Sequence, residues 1–406
     1  MIRTGSICLS LLCNYLKSKH NSNKSSDDNE DLGKKSNALK CVKETFENYG
    51  GVFSKLAQML CFEDNESDNK VFSECKPINM QKTIEYLKTE FEKNRVFFKD
   101  VKSIDFNVFK SGSVGQVHKG KLNDGSDIIL KVQYVGLEEQ IKSDLVILEQ
   151  IINFLYSFAD LTNALNDIKK QLTEELDYNI EYKNQQIIKD LWKHDESIKV
   201  ADLLPEICSK NIIGMRFIKG ESLNDFILNS TQEQKNDIAM KLIKFIFVNI
   251  YKHQIFYSDI HYGNFLITDK SVLNVMDFGC LNKISDSILL NLKKLNHSFR
   301  NNDKDLFYEA VYSLGMIDEK TSIESKNYIY EYLKIQYIPW NNNNTFHFNH
   351  EFLSKSLYKN TTLMKEWKIP PSMVYLNKIP YGLFHILTKL NVTGNFYDIY
   401  TDLIVY

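Results

Sequence analysis

Residues 257–279 read Tyr-Ser-Asp-Ile-His-Tyr-Gly-Asn-Phe-Leu-Ile-Thr-Asp-Lys-Ser-Val-Leu-Asn-Val-Met-Asp-Phe-Gly, and this stretch decides the fold. Asp259 is followed five residues later by Asn264, and Asp277 begins the closing Asp-Phe-Gly. Two short apolar runs, separated by the polar residues 268–271, predict a β-hairpin between them. The hairpin would place Asn264 and Asp277 at neighbouring strand ends, where both side chains can face one cation.

This spacing is typical of the catalytic loop of a kinase. In such a loop one Asp positions the acceptor hydroxyl, an Asn binds a metal ion, and the Asp of Asp-Phe-Gly bridges the metal and the phosphates. Asp-Phe-Gly alone also occurs by chance, so the prediction depends on the combination with Asp259 and Asn264 and on partners upstream.

Length and charge limit the class of protein. A chain of 406 residues has room for two domains or one large bilobal one. Its 50 basic and 52 acidic residues nearly balance, which argues against a nucleic-acid partner. Seven scattered cysteines fit neither a disulfide framework nor a zinc site, so we expect a reducing, intracellular compartment.

The one candidate targeting segment is residues 7–16. It is too short to span a bilayer and lacks a small-residue cleavage site, and a mitochondrial presequence would carry more Arg. We therefore expect no transmembrane helix, and an N-terminal helix lying on the fold or on a membrane surface. The choice between a cytoplasmic and a mitochondrial, membrane-peripheral location stays open.

The first part of the chain divides into two predicted regions. Residues 1–37 form an N-terminal segment whose polar stretch, 20–37, is too poor in apolar residues to order itself. Residues 38–105 form a helical extension, with one helical period over 38–61 and another over 84–98. Lys55 and Gln58 lie three residues apart on one face of the first period, a position that by itself fits a solvated surface.

A glycine-containing turn between two strands is predicted over residues 109–120. Gly112, Gly115 and Val117 match the second Gly, third Gly and Val of a kinase glycine loop, whereas Lys110 replaces the first Gly. After a hairpin turn, Lys131 falls within the apolar strand 128–132, where a phosphate-binding lysine would lie. Because burying this ammonium is costly without an anion, Lys131 predicts a carboxylate on the following helix.

Two long helices are predicted next, over 137–156 and 168–192. In the second, Asp177 and Glu181 are four residues apart and share a face, with Glu175 close by. Three carboxylates on one side of a helix repel one another, so a lysine, Mg²⁺ or solvent must compensate their negative charge.

The residues from 211 onward are predicted to form a hinge strand followed by a helical lobe. The predicted strand 211–218, which carries Met215 and Phe217, would hold adenine through its backbone. Helices are expected over 223–228 and 232–254, and after Gly279 to the chain end, with breaks at 341–344 and 370–371. We accordingly predict an N-lobe over 106–217 and a C-lobe over 218–406.

Taken in order, these motifs resemble the UbiB/ADCK family of atypical protein-kinase-like proteins. The motifs are Lys55-Leu-Ala-Gln58, Ser113-x-x-Gln116-Val117-His118, Lys131-Val132-Gln133, Glu175-x-Asp177-x-x-x-Glu181, Asp259-x-His261-x-Gly263-Asn264 and Asp277-Phe278-Gly279. The resemblance covers roughly 38–300 and, more loosely, a helical tail at 374–396 with Pro380-Tyr-Gly-Leu.

The resemblance implies an α+β, bilobal protein-kinase-like fold with an N-terminal helical extension and a largely helical C-lobe. It also implies a site for ATP and Mg²⁺ between the lobes and a role in ubiquinone metabolism. In the family, the segment matching Lys55 and Gln58 folds over the active site and meets the carboxylates matching Glu175 and Asp177, forming a lid network.

Roles follow for the matching residues. The expected ATP-binding residues are Gly112, Ser113, Gly115, Val117, Lys131, Glu181, Met215 and Phe217, the metal ligands are Asn264 and Asp277, and the catalytic residue is Asp259. The sequence departs from the family at Ala57, Lys110, Ile129 and Arg216, which leaves the nucleotide preference open.

Three functions are consistent with these residues. The first is an ATPase or small-molecule kinase acting on a lipid-like or phenolic quinone precursor near a membrane. The second is a serine/threonine protein kinase, although Ser258 stands where such kinases have Arg and no Ala-Pro-Glu follows Gly279. The third is a non-catalytic ATP-binding scaffold. The substrate and the oligomeric state stay open.

Overall fold

The structure is a computed structural model that describes residues 80–112, 114–143, 145–146, 173–357, 366–367, 370–401 and 403. Contacts divide the chain into two units. The first contains the described residues up to Asn179 together with Leu204–Arg216, and the second contains Ile180–Leu203 and the described residues from Phe217 onward.

The strands are β1 (Val101–Ile104), β2 (Lys110–Ser111), β3 (Gly115–Leu122), β4 (Asp127–Gln133), β5 (Ile198–Val200), β6 (Ile212–Arg216), β7 (Glu221–Ser222), β8 (Ile255–Tyr257), β9 (Phe265–Thr268), β10 (Val272–Val275), β11 (Leu281–Lys283), β12 (Phe346–His347) and β13 (Thr393–Gly394). The helices are α1 (Met80–Lys93), α2 (Tyr178–Trp192), α3 (Leu223–Asn229), α4 (Gln232–Tyr251), α5 (Asp286–Asn301), α6 (Lys304–Ser313), α7 (Ile323–Asn341), α8 (His350–Leu357), α9 (Pro371–Lys389) and α10 (Tyr397–Thr401).

The first unit is built on an antiparallel sheet in the order β1-β3-β4-β6, with β2 paired to β3. Side chains alternate across a strand, so Ile128, Leu130 and Val132 of β4 all point to one face. All three are fully buried there, in a core that includes Leu87 of α1. The predicted hairpin turn is present, and Gly125 adopts the left-handed backbone that it requires, with φ of 86°.

Two boundaries in this unit differ from the sequence prediction. The helix expected over 84–98 runs from Met80 to Lys93, followed by turns. Strand structure begins at Val101 rather than after Asn107, because β1 pairs with the end of β3. That pairing joins residues about twenty positions apart, which a local pattern does not reveal.

The second unit combines a mixed sheet with helices. Its sheet has the order β5-β10-β9-β7, and the predicted hairpin is its centre, with Val275 of β10 opposite Phe265 of β9. Helix α4 begins at a capping box formed by Thr231 and Gln234 and buries one long apolar side in the core. This helix leads directly into β8 and the motif stretch.

The C-terminal part is largely helical, as expected. The predicted break at 341–344 falls where α7 ends at Asn341, and the break at 370–371 falls where α9 begins at Pro371. The sequence prediction missed the short ladder between β12 and β13.

A mixed α/β composition is thus confirmed, whereas the bilobal arrangement and the lobe boundaries at 106–217 and 218–406 stay predictions. The predicted segment 1–37 and the part of the extension that carries Lys55 and Gln58 lie outside the described residues. No helix among the described residues is long and apolar enough to cross a bilayer.

Candidate active site

A short antiparallel ladder places the two aspartates of the motif close together. β8 pairs with β11 so that Tyr257 lies opposite Leu281. The backbone amide of Ser258 continues this ladder by donating to the carbonyl of Cys280 at 3.3 Å. Asp259 lies just after β8, and Asp277 lies just before β11. Because these two strands are paired, the two aspartates lie near the same end of the ladder.

Asn264 is held in one orientation by Asp259. It ends a 3-10 turn, Tyr262–Asn264, and its amide nitrogen donates to the backbone carbonyl of Asp259 at 3.0 Å and to its carboxylate at 2.7 Å. Both of these oxygens only accept hydrogen bonds, so the nitrogen of the amide must face them. The side-chain oxygen of Asn264 is left as the group that can bind a cation.

Asp277 is fixed by the turn that follows it. Its carboxylate accepts a hydrogen bond from the backbone amide of Gly279 at 3.0 Å. The intervening Phe278 is fully buried, and its carbonyl accepts from the side-chain amide of Asn184 at 3.0 Å. In addition, the amide of Met276 donates to the carbonyl of Asn264 at 3.0 Å, which ties the two predicted metal ligands together.

The donor set suits Mg²⁺ rather than a softer metal. Asn264 and Asp277 offer hard oxygen ligands, and no group of three His, Cys, Asp or Glu side chains in the described part of the chain forms a complete metal cage. Mg²⁺ is commonly held by one or two carboxylates together with substrate phosphates and water. The residues present therefore fit a magnesium ion that arrives with a nucleotide.

Glu181 lies beside the Asp-Phe-Gly turn. It is 5% exposed on α2. A side chain at Gly279 would begin 3.4 Å from the Asp277 carboxylate and 4.0 Å from that of Glu181. Both carboxylates therefore lie around Gly279 at ordinary contact distance, while the predicted pairing of Glu181 with Lys131 stays a prediction.

The helix predicted over 168–192 is present in most of its described part but is interrupted. Residues 173–175 are helical, Leu176 and Asp177 are not, and α2 then runs from Tyr178 to Trp192. Asp177 lies in the break, where its carboxylate accepts from the backbone and side-chain amides of Asn179, both at 2.9 Å. Asp177 and Glu181 therefore do not share a face of one continuous helix.

Hydrogen bonds from distant strands stabilise this break. Gln133 donates to the carbonyl of Leu176 at 2.9 Å, and the amide of Tyr178 donates to the carbonyl of Lys210 at 3.0 Å. Glu175 is nearly buried in the preceding turn. Its place in a lid network, like that of Asp177, stays a prediction because Lys55 and Gln58 are not described.

Four residues of the predicted nucleotide site share one face of the first sheet. Val117 lies opposite Lys131, and Ile129 lies opposite Met215, so all four project on the side away from the apolar core of β4. Lys131 is half-buried, and its ammonium lies 5.2 Å from the centre of the Tyr178 ring, a cation–π distance. Phe217 lies just beyond the end of β6.

The two glycines of the loop have different environments. Gly112 donates to the carbonyl of Gly115 at 2.8 Å, and Gly112 is exposed. Gly115 is buried: a Cβ atom there would lie 2.5 Å from the carbonyl oxygen of Val132 and 2.6 Å from the hydroxyl of Tyr178. Packing alone therefore requires a glycine at 115, whereas Gly112 is free to approach a ligand. Ser113 lies outside the described residues.

Gln116 and His118 of the same motif face the core. The ring nitrogen Nδ1 of His118 lies 3.0 Å from the carbonyl of Asp105, which only accepts, so Nδ1 carries the proton. Nε2 then accepts from the side-chain amide of Gln116 at 2.9 Å. Burial lowers the pKa of His118, which keeps the ring neutral. These two residues support the sheet rather than contact a substrate.

Helix α9 contacts and supports the catalytic loop. The only sequence signal for this contact was Pro380-Tyr-Gly-Leu, which resembles the UbiB/ADCK family. The hydroxyl of Tyr262 donates to the carbonyl of His385 at 3.0 Å. A side chain at Gly382 would collide with the carbonyl oxygen of Ile260 and lie 2.8 Å from its Cβ. Gly382 therefore allows α9 to contact the loop immediately after Asp259.

This arrangement is that of a kinase-like protein, and comparison with known proteins gives the family. Residues 70–311 match the ABC1 atypical kinase-like domain, which is more than half of the chain. The chain belongs to this family, and the resemblance to UbiB/ADCK proteins is confirmed.

Several relatives are similar over most of this chain. "Atypical kinase COQ8, mitochondrial" from Saccharomyces cerevisiae is 23% identical, over 90% of this chain and 76% of the yeast protein. "Probable serine/threonine-protein kinase abkA" from Dictyostelium discoideum is 23% identical, over 87% of this chain and 68% of that protein. An uncharacterised Clostridium pasteurianum protein is 25% identical, over 79% of this chain but only 59% of its own length.

A solved structure has the same fold. The protein is from Mycobacterium tuberculosis, in complex with erythromycin, and it superposes with a TM-score of 0.64 over 92% of this chain and 97% of its own, at 19% identity. At 19% identity, this comparison supports a shared fold only.

Proposed function

We propose that this protein is an ATP- and Mg²⁺-dependent atypical kinase or ATPase of the UbiB type that supports ubiquinone biosynthesis or lipid handling. The observation that carries the proposal is the pair of hydrogen bonds from Asn264 to Asp259, formed next to Asp277. Phosphoryl transfer depends on positioning and charge neutralisation more than on covalent chemistry, and these residues supply both.

Each residue has a proposed role. Lys131 binds the α- and β-phosphates, Glu181 orients Lys131, and the glycine turn at 112–115 covers the phosphates through backbone amides. Asn264 and Asp277 hold Mg²⁺, which neutralises the charge that develops on the phosphates. Met215 and Phe217 flank the adenine, and Lys55, Gln58, Glu175 and Asp177 form the lid network.

Asp259 is proposed to position the acceptor hydroxyl or water. Its side chain is exposed, so an acceptor can reach it. One carboxylate oxygen already accepts from Asn264, which leaves the other available to an acceptor. This arrangement lets Asp259 accept the proton of the attacking hydroxyl without competing for the metal.

A protein substrate is less well supported than a small molecule. Only residues 280–285 separate Gly279 from α5, and β11 occupies part of them, so there is no long loop here to dock a peptide. Ser258 is buried and bonded to the carbonyl of Cys280, and it offers no cation to a phosphorylated loop. The name of the Dictyostelium relative keeps the protein-kinase alternative worth testing.

An apolar cavity in the second unit supports the lipid-like part of the proposal. It has a volume of about 110 Å³ and lies among α4, α5, α7 and α9. Its wall includes Trp340, Pro380 and Leu383. At about 110 Å³ it is smaller than a cavity of about 150 Å³ that holds benzene, so we assign it only a short segment of an apolar chain.

ATP hydrolysis, measured with and without anionic lipid vesicles and a soluble phenol, tests the proposal. We expect Mg²⁺-dependent hydrolysis that lipid or phenol stimulates and that Asp259→Asn lowers by at least about tenfold. Nucleotide binding without hydrolysis would favour a scaffold. Transfer of phosphate to added proteins, lost in Asp259→Asn, would favour a protein kinase.

A further inference from the structure

Tyr257, the last residue of β8, carries a hydroxyl group that packing does not explain. The residue is 1% exposed, and its hydroxyl has no partner of good hydrogen-bond geometry among the residues that the structure describes. Burying a hydroxyl in this way is unfavourable, and a phenylalanine of the same shape would avoid that cost. A buried polar group without a partner commonly marks the place of a water or ion.

Three aromatic rings fix the direction of the Tyr257 side chain. The ring centres of Phe245, Phe265 and Phe278 lie 5.4, 6.3 and 6.0 Å from that of Tyr257. These rings come from α4, from β9 and from the Asp-Phe-Gly turn. The position of the hydroxyl is therefore set by the surrounding core rather than by a hydrogen bond of its own.

Tyr257 packs beside both predicted metal ligands, because its ring contacts Phe265, which follows Asn264, and Phe278, which follows Asp277. Burial raises the pKa of Tyr257 well above its usual value and the nearby carboxylates of Asp259 and Asp277 raise it further, whereas a hydrogen bond with the side chain of Asn264 lowers it. A neutral phenol can donate one hydrogen bond and accept others.

We propose that Tyr257 is a positioning residue for the cation site: its hydroxyl hydrogen-bonds within the ligand set of the Mg²⁺ and so holds Asn264 and Asp277 in place around the ion. This inference rests on the proposed function. Ligands of a metal site are themselves held by outer hydrogen bonds, and loss of one such partner weakens metal affinity by about 10- to 100-fold.

Tyr257→Phe tests this role, with Tyr308→Phe as a control. Both changes remove one phenolic hydroxyl, but Tyr308 lies on α6, outside the motif residues, and its hydroxyl already donates to Asn327 at 3.0 Å. The measurements are the melting temperature of the free protein and the Mg²⁺ concentration that gives half of the ATP-induced thermal shift.

The two variants should behave in opposite ways. Tyr257→Phe should melt at or above the temperature of the wild type but require at least about tenfold more Mg²⁺. Tyr308→Phe should melt lower, since it loses a hydrogen bond, while its Mg²⁺ requirement stays within about twofold of the wild type.

Two results would overturn the inference while leaving the proposed function intact. The first is that the wild type shows a Mg²⁺-dependent thermal shift and Tyr257→Phe reaches half of its own shift at a Mg²⁺ concentration within about twofold of the wild-type value. The other is a loss of melting temperature as large as that of Tyr308→Phe, which would show that the hydroxyl is already firmly bonded in the free protein. A wild type that shows no Mg²⁺-dependent shift at all would instead remove the proposed function and the inference together.

Discussion

Replacing Gly115 by alanine should destabilise the first unit even in the absence of nucleotide. The new Cβ would lie 2.5 Å from the carbonyl oxygen of Val132 and 2.6 Å from the hydroxyl of Tyr178, where ordinary contacts begin at 3.4 Å. The first neighbour is backbone of the adjacent strand, so it cannot rotate away. Each neighbour must move by about 0.8–0.9 Å, and overpacking of this kind costs about 1–3 kcal/mol.

The assay is thermal and urea denaturation of the wild type, Gly115→Ala and Gly112→Ala without ligand. A loss of about 2 kcal/mol corresponds to a fall of about 4–8 °C in melting temperature for a unit of this size. Gly112→Ala is the matched control, because the closest atom to its Cβ would be the carbonyl oxygen of Gly115, at 3.6 Å. Its melting temperature should therefore stay within about 1 °C of the wild type. If Gly115→Ala were as stable as the wild type and lost only ATP binding, the packing argument would be wrong.

Three further predictions test other parts of the structure. Lys131→Met should abolish the ATP-induced thermal shift while the free protein melts within about 2 °C of the wild type, and an unchanged ATP response would remove Lys131 from the site. His118 has a folded pKa below its unfolded value, so its contribution to stability is complete above about pH 6.5 and declines as pH falls, by at most about 1.4 kcal/mol per pH unit. His118→Asn should therefore show a flatter stability profile between about pH 5 and pH 6.5 in urea denaturation, and a profile parallel to that of the wild type would contradict the neutral buried ring. Gly382→Ala should push α9 against Ile260 and lower ATP hydrolysis by at least about tenfold, whereas full activity would show that α9 does not support the catalytic loop.

The sequence predicted local features best. Two short apolar runs with a polar turn between them predicted the hairpin of β9 and β10, and the structure confirms it, with the buried side chain of Asn274 donating to Thr268 at 3.0 Å. It also placed Asn264 and Asp277 at neighbouring strand ends, because the register of a tight hairpin fixes which residues flank it.

Features that depend on residues distant in sequence were missed. The helical pattern through Leu176 and Asp177 is unbroken, and only hydrogen bonds with Gln133 and Lys210 show why the helix stops there. The need for glycine at 115 likewise comes from Tyr178, more than sixty residues away. A periodic pattern reports which residues are apolar but not which distant backbone group will compete for a hydrogen bond.

The central claim, that Asp277 and Asn264 form a Mg²⁺ site for a bound nucleotide, is tested most directly by thermal denaturation with ATP over a series of Mg²⁺ concentrations, comparing the wild type with Asp277→Asn. Ligand that binds only the folded state adds about 2.7 kcal/mol of stability at 100 times its Kd. The wild type should gain stability with ATP only when Mg²⁺ is present, and Asp277→Asn should lose that gain. An equal Mg²⁺-dependent gain in Asp277→Asn would contradict the assignment.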